Sequence, residues 1–319
     1  MTSGQKLRIV YMGTPDFAVE PLRRLVEGGY NIVGVVTMPD KPSGRGLKIQ
    51  QSAVKQYALE VGLPVLQPQK LRDEQFINQL RELAPDLGII IAFRMLPEVV
   101  WALPRLGTIN LHASLLPQYR GAAPINHAII NGDNKSGVTT FFLNHTIDTG
   151  DILMQRETPI GDDDTLETLH DRLMTLGADV VVDSVEMIAA GGYTLTRQLD
   201  IPLEQLKPAP KIFREDCHIN WSKDAVSVRN LVRGLSPYPA GWSTLKIDNL
   251  EIQMKIFEVT VIDSEHTGPI GEVLIDKSLT VQCGKGRIKI ERLQPAGKRQ
   301  MATEEFVRGL KKNGAAHFE

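Results

Sequence analysis

The chain has 319 residues, 42% of them hydrophobic, and a formal charge of −2, as expected of an ordinary globular protein with room for two domains. No apolar run approaches the roughly 20 residues of a transmembrane helix, and Met1–Lys6 leads into a strand without a secretory h-region, so a cytoplasmic protein away from membranes is expected. Cys217 and Cys283 are the only cysteines and neither they nor the seven histidines fall in a ligand spacing, so no metal and no disulfide is expected, and a monomer is the default.

The first half alternates strand and helix. Leu7–Met12 reads as a short apolar strand, Phe17–Val26 as an amphipathic helix ending at Gly28-Gly29, and Ile32–Thr37 as the next strand. Ser52–Gly62 reads as helix, Val65 opens a short strand, and Glu74–Leu83 is helical again. Asp86–Phe93 is a continuous apolar run, as a parallel strand buried on both faces requires. Thr108–His112 follows as strand, Pro124–Asn131 as helix and Gly137–Asn144 as strand. Asp164–Glu167 resembles a capped start to a long helix through Ala190, closed by Gly191-Gly192. The alternation predicts an α/β fold, an open and mostly parallel Rossmann-like sheet whose ligand sits beyond the carboxyl ends of its strands.

Leu206–Pro210 is a proline-rich break, and the pattern changes after it. Five β-rich segments follow (Trp242–Ile247, Ile252–Val261, Gly271–Ile275, Leu279–Cys283 and Arg287–Leu293), with short helices at Val226–Leu235 and Glu304–Leu310. Short strands with few helices suit a small β-barrel. The expected division is therefore 1–192, a linker over 193–210, and 211–319. Residues 207–319 carry 18 Lys and Arg against 14 Asp and Glu, whereas the preceding 206 carry 18 against 24. A basic end on an acidic body is what a protein gripping a polyanion at one end would show. Lys285, Arg287 and Lys289 alternate and so would share one face, a candidate contact for an RNA backbone. Trp221, Trp242 and Tyr238 are expected in the core or at the domain junction rather than as base-stacking platforms.

The chemistry-bearing stretch runs from Gly107 to Ile125. Asn110 and His112 are two apart on a strand end and project from the same face, while Ile109 and Leu111 point into the core. A carboxamide donor beside an imidazole suits a carbonyl whose oxygen becomes an oxyanion. Ile147-Asp148-Thr149-Gly150-Asp151 adds an acidic turn whose carboxylate can orient the His or relay a proton. No Ser or Cys is placed to form a covalent intermediate.

With the Ser114-Leu115-Leu116-Pro117 loop and the Arg120–Ile125 run beside them, these residues resemble the signature of the formyltetrahydrofolate-dependent formyltransferases. The likeness runs nearly end to end, through Met12–Ala18, Thr37–Gly46 and Leu293–Lys298, and is strongest to the branch acting on methionyl-tRNA. It implies transfer of a formyl group from 10-formyltetrahydrofolate, the cosubstrate, to the amino group of initiator methionyl-tRNA, with an OB-like C-terminal domain holding the tRNA. It implies catalytic roles for Asn110, His112 and Asp148, and a folate site lined by Ser114, Leu115, Leu116 and Pro117, with the pterin against Phe93 and Met95. It also implies that Lys41 and Arg45, in the loop Pro39–Gly46, contact the acceptor end of the tRNA. Two positions depart from the family. The usual Ala-Tyr-Gly before an apolar pair and Leu-Pro is Ala92-Phe93-Arg94-Met95-Leu96-Pro97, one residue shorter and lacking the glycine; Lys41 stands where Arg is common, keeping the charge but losing the planar fork.

Competing readings fit less well. A nicotinamide-dependent oxidoreductase needs Gly-x-Gly-x-x-Gly, which the turn Gly13-Thr14-Pro15-Asp16 lacks, and Asp16 would oppose a pyrophosphate. A non-catalytic RNA-binding module leaves Asn110, His112 and Asp148 idle. A phosphoribosyl-glycinamide formyltransferase would be shorter, and neither sugar-nucleotide N-formyltransferases nor the hydrolase-like part of formyltetrahydrofolate dehydrogenase predicts Pro39–Gly46 together with Pro295–Lys298.

Overall fold

The computed structural model describes residues 2–43, 48–198, 202–262, 268–310 and 314–319. The chain makes two compact units that interleave in sequence. One comprises Met1–Gly121, Ser136–Pro159 and His170–Pro208; the other comprises Ala122–Lys135, Ile160–Leu169 and Ala209–Glu319.

The first unit is built on a seven-stranded sheet. Its strands are β1 (Ile9–Gly13), β2 (Ile32–Val36), β5 (Val65–Leu66), β6 (Leu87–Ile91), β7 (Thr108–His112), β8 (Lys135–Phe142) and β9 (Ile152–Pro159), in the order β5-β2-β1-β6-β7-β8-β9. A small antiparallel hairpin, β3 (Lys41–Ser43) with β4 (Lys48–Gln50), leaves this sequence after β2. The pairs from β5 to β7 are parallel, and β8 runs antiparallel to β7. Parallel pairing demands crossovers, and helices α1 (Val19–Glu27), α2 (Ala53–Glu60), α3 (Glu74–Glu82) and α4 (Glu98–Trp101) supply them. Helix α2 begins where expected because the Ser52 hydroxyl accepts the Lys55 N–H. Strands β1 and β6 are buried along their whole length, which accounts for their unbroken apolar sequences. The long helix α6 (Leu166–Ala190) follows β9 after helix α5 (Pro124–Ile130). Gly177 of α6 leaves no room for a Cβ beside Leu111, so the helix lies directly against the core-facing side of β7.

The second unit is a closed barrel. Strands β10 (Gly241–Ile247), β11 (Leu250–Ile262), β12 (Glu272–Ile275), β13 (Leu279–Gln282), β14 (Arg287–Pro295) and β16 (Ala316–Phe318) pair antiparallel in the ring β11-β10-β16-β12-β13-β14, and β14 closes back on β11. The sequence pattern indicated five of these; the three-residue β16 is too short to carry a period, yet it joins β10 to β12. Strand β15 (Met301–Ala302) adds a short edge on β14. Leu245, Ile256, Leu279, Val281, Ile288 and Ile290 fill the barrel. Helix α7 (Ala225–Leu235) starts at Asp224, whose carboxylate accepts the Ser227 N–H at 2.9 Å, and α8 (Thr303–Gly309) lies near the end of the chain. Trp221 is buried in this core as expected, but Tyr238 is not: it is 77% exposed.

Candidate functional site

The sheet changes direction between β1 and β6: later strands are added on one side as β2 and β5, on the other as β6 and β7. A crevice opens at such a switch point beyond the carboxyl ends of the strands. Here Gly13 ends β1 opposite Ile91 of β6, and a Cβ on it would stand 2.7 Å from that of Ala18, so the first turn is close-packed at the crevice floor.

On β7, Asn110 pairs across to Ile90 and Phe141, and His112 to Thr139. Asn110 is partly exposed, and among the described residues its carboxamide has no hydrogen-bond partner. His112 is only 7% exposed, and its Nε2 lies 2.8 Å from the Tyr119 carbonyl oxygen. A carbonyl only accepts, so Nε2 carries the proton and Nδ1 of the neutral ring carries the lone pair. Nδ1 faces Asp148 Oδ2 at 3.9 Å. That oxygen also accepts the Gly121 N–H at 2.9 Å.

Asp148 takes a left-handed φ of +54°, a conformation that Asp tolerates better than most residues. Two residues on, Gly150 passes so close to the Phe142 carbonyl that any side chain would collide with it. The turn is thus folded tightly onto the end of β8, which brings the carboxylate to His112. His112 and Asp148 thus come together, with Asn110 two residues from His112 on the same face of β7. Tyr119 and Gly121, which orient the His ring and the carboxylate, carry no catalytic side chain, and only their place in the Gly107–Ile125 run hinted at a role.

Profiles of the formyl transferase family match residues 6–185, and those of its C-terminal domain residues 211–311. The chain is 55% identical over 313 residues to a methionyl-tRNA formyltransferase of Parabacteroides distasonis, covering 96% of this chain and 97% of the relative. It is 56% identical over 311 residues to one of Bacteroides thetaiotaomicron, with coverage of 96% and 97%. The chain belongs to the formyl transferase family. Within that family it shares more than half its residues with these methionyl-tRNA formyltransferases. In fold it resembles an N-formyltransferase from Helicobacter canadensis in complex with folinic acid and dTDP-3-aminofucose (TM-score 0.64, 20% identity, 91% of this chain and 99% of that one). It also resembles HypX from Aquifex aeolicus in complex with tetrahydrofolic acid (TM-score 0.63, 18% identity, 98% and 51%).

In this formyl transferase the residues expected to line a folate site divide into two sets. Ser114 is fully buried, its hydroxyl donating to the Gln118 carbonyl at 2.7 Å. Leu116 packs with Phe141 and Ile152. Both therefore shape the loop from within rather than presenting side chains to a ligand. Leu115 and Pro117 are partly exposed, as is Phe93, and Met95 is 73% exposed. The family departure at 92–97 has a physical form. The chain turns off β6 at Ala92, with φ +46°. Arg94 folds back over the Phe93 ring and donates to the carbonyls of Pro68 and Gln69. Burial lowers its pKa from the usual arginine range. The guanidinium thus braces this shortened segment from behind.

The expected tRNA contacts fare unevenly. Lys41 is exposed on β3, and the neighbouring Asp40 anchors the hairpin's base through Lys55 Nζ at 2.6 Å and the Gln67 amide at 2.8 Å. These two donors hold the Asp40 carboxyl below the usual carboxylate range. Arg45 lies outside the described residues. The stripe Lys285, Arg287, Lys289 is unevenly exposed. Lys285 is exposed in the turn before β14, but Arg287 is 6% exposed and donates to Gln282 Oε1 at 2.9 Å. Lys289 is tied to Glu291 at 2.9 Å, which raises its pKa. The alternation holds and sets Arg287 and Lys289 opposite the core residues Ile288 and Ile290, but Gln282 and Glu272 cover Arg287 on that outer side.

A different cationic surface lies in the second unit. A groove of about 880 Å³ is lined by Lys211, Arg214 and Lys255 together with Phe213, Trp242 and Tyr238, and its lining includes no Asp or Glu. Each cation lies over one ring: Lys211 over Phe213 at 5.3 Å, Arg214 over Trp242 at 5.5 Å and Lys255 over Tyr238 at 5.9 Å. Such pairs hold flat, charged platforms at a surface. Sequence spacing did not reveal the groove because its lining is gathered from the segment before α7, the turn after it, and two barrel strands. Among the described residues no group of three or more His, Cys, Asp or Glu could hold a metal ion, and no helix is long and apolar enough to cross a membrane.

Proposed function

We propose that the chain transfers the formyl group of 10-formyltetrahydrofolate to the amino group of initiator methionyl-tRNA, with Asn110, His112 and Asp148 as its catalytic residues. The observation that carries this reading is the oriented imidazole. Nε2 is fixed on the Tyr119 carbonyl, so Nδ1 is left to exchange protons beside Asp148, with the Asn110 carboxamide two residues away on the same face. Kinship above 50% identity with methionyl-tRNA formyltransferases supports the choice of acceptor.

The reaction joins an amine nitrogen to the formyl carbon and breaks that carbon's bond to N10 of the folate. As the amine attacks, the formyl oxygen gains charge, and the Asn110 NH₂ group donates to it. The proton lost by the amine passes to Nδ1 of His112, and the Asp148 carboxylate stabilises the resulting imidazolium. With Nδ1–H formed, His112 is a second donor to the oxyanion. The same proton then goes to N10, which leaves as the secondary amine of tetrahydrofolate. The donor is the cosubstrate, consumed once per turnover, and no covalent enzyme intermediate is required.

For the tRNA, the acid-free groove bearing Lys211, Arg214 and Lys255 suits a phosphate backbone, and its rings suit bases. Changing these three cations to Gln should raise the KM for tRNA and flatten its salt dependence, each lost phosphate contact removing roughly 0.7–0.9 from the log–log slope. Arg287→Gln should leave the slope as it is. Lys41 is exposed on its hairpin, and in this reading it helps position the acceptor end. Lys41→Ala should lower kcat/KM for initiator methionyl-tRNA more than for a small amine, and Lys41→Arg should retain or improve it. Equal losses on initiator tRNA and on an elongator-like acceptor stem would show that Lys41 only attracts phosphate.

The direct test incubates the protein with 10-formyltetrahydrofolate and either methionyl-tRNA or an amino sugar nucleotide, then follows N-formyl product by mass spectrometry. Formylmethionyl-tRNA is the expected product. Formylation of the sugar alone would overturn the assignment.

A further inference from the structure

We propose that Gln198 is a positioning residue that sets the Asp148 carboxylate for catalysis, an inference that rests on the catalytic reading of Asp148. Its side-chain Nε2 donates to two carbonyls of the acidic turn, that of Asp148 at 2.9 Å and that of Gly150 at 2.8 Å. Its Oε1 accepts both Nε and Nη2 of Arg120, at 3.1 and 2.6 Å. Every donor of the amide is used and its oxygen is doubly engaged. The network also fixes which end is which, since the reverse orientation would set NH₂ against guanidinium.

The place of Arg120 in the chain gives this clamp its meaning. It stands between Tyr119, whose carbonyl holds His112 Nε2, and Gly121, whose N–H holds Asp148 Oδ2. One glutamine therefore ties the loop that aims the imidazole to the turn that carries the carboxylate. A left-handed aspartate is strained and persists only where its surroundings hold it. Gln198 supplies two of the bonds that hold it. The glutamine is itself delivered by the segment after α6. Thr196 exchanges backbone hydrogen bonds with Ile152 at 2.8 and 2.9 Å, and Tyr193 stacks on Phe142. Further along the same segment, the Lys207 carbonyl accepts the Tyr119 N–H at 2.6 Å. The stretch expected to be a plain linker is thus part of the scaffold around His112.

The test compares Gln198→Glu with Asp148→Asn and with the double variant in single-turnover formyl transfer to methionyl-tRNA. The glutamine-to-glutamate change is close in shape but not in bonding: the new carboxylate keeps the acceptor for Arg120 but presents oxygen, not NH₂, to the two carbonyls. Gln198→Glu should lower the rate of the chemical step by about 10- to 100-fold, the scale of a small misplacement of reacting groups, with KM for both substrates unchanged. If Gln198 acts through Asp148, the double variant should be no slower than Asp148→Asn alone. Losses that multiply, or a Gln198→Glu enzyme with wild-type kcat, would overturn the clamp while leaving the catalytic reading intact. A fast Asp148→Asn enzyme would overturn both. Should Gln198→Glu fold poorly, Gln198→Met, of similar length and without donors, carries the same comparison.

Discussion

Replacing His112 by Ala, or Asp148 by Asn, should lower single-turnover formyl transfer by about 10²- to 10⁴-fold, the usual worth of a positioned acid–base group. The two changes remove different things. His112→Ala deletes the proton carrier and leaves the Tyr119 carbonyl without its 2.8 Å donor. A cost of about 1–3 kcal/mol in stability is expected from that orphaned acceptor. Asp148→Asn keeps the shape and an oxygen that can accept the Gly121 N–H, so its fold should be preserved while the charge beside Nδ1 is lost. Folate affinity, measured by fluorescence titration, should stay near wild type in both. A variant that transfers formyl at the normal single-turnover rate would strip that residue of its role.

The largest effect on stability is expected from Gly150→Ala. The added methyl group would meet the carbonyl of Phe142, which is backbone and cannot rotate aside. Overpacking in a close-packed interior costs about 1–3 kcal/mol when side chains can adjust, so a clash with main chain should cost about 3 kcal/mol or more. Urea unfolding should show the drop, and activity should fall with it because the Asp148 turn must shift outward. Gly62→Ala provides the contrast. It has a positive φ, +74°, but nothing lies near its Cβ, so only the conformational penalty applies. If Gly150→Ala unfolds at the same urea concentration as the Gly62→Ala protein, the turn is looser than its contacts imply.

Much of this was legible in the residues, and the exceptions have physical causes. Strands β1 and β6 could be read because burial on both faces leaves no polar interruption. Strand β9 could not, since its burial alternates over a mixed run, Gln155-Arg156-Glu157, that reads equally well as loop. Asn110 and His112 declared themselves through a spacing that a strand converts directly into a shared face. The tautomer of His112 did not, because a main-chain carbonyl seven residues away sets it. The exposure of the stripe Lys285, Arg287 and Lys289 could not be read for a related reason. Alternation tells which residues share a side of a strand, not whether each is open to water: Arg287 lies opposite the core residues Ile288 and Ile290, yet Gln282 and Glu272 cover it. The groove was invisible to spacing because Arg214 and Lys255 find their rings, and all three pairs find one another, only through tertiary structure.

The interleaving of the two units bears on how such a chain can be cut and rejoined. The barrel's unit is completed by Ala122–Lys135 and Ile160–Leu169, and Asn126 of α5 donates at 2.8 Å to the Gly234 carbonyl at the end of α7. The polypeptide therefore passes between the units several times before it reaches the barrel strands. A gene fragment beginning after the proline-rich break would encode the strands without two of the pieces that pack with them. Recombination at that break would exchange an incomplete module, so the halves of this chain are expected to diverge together and to resist shuffling with foreign partners.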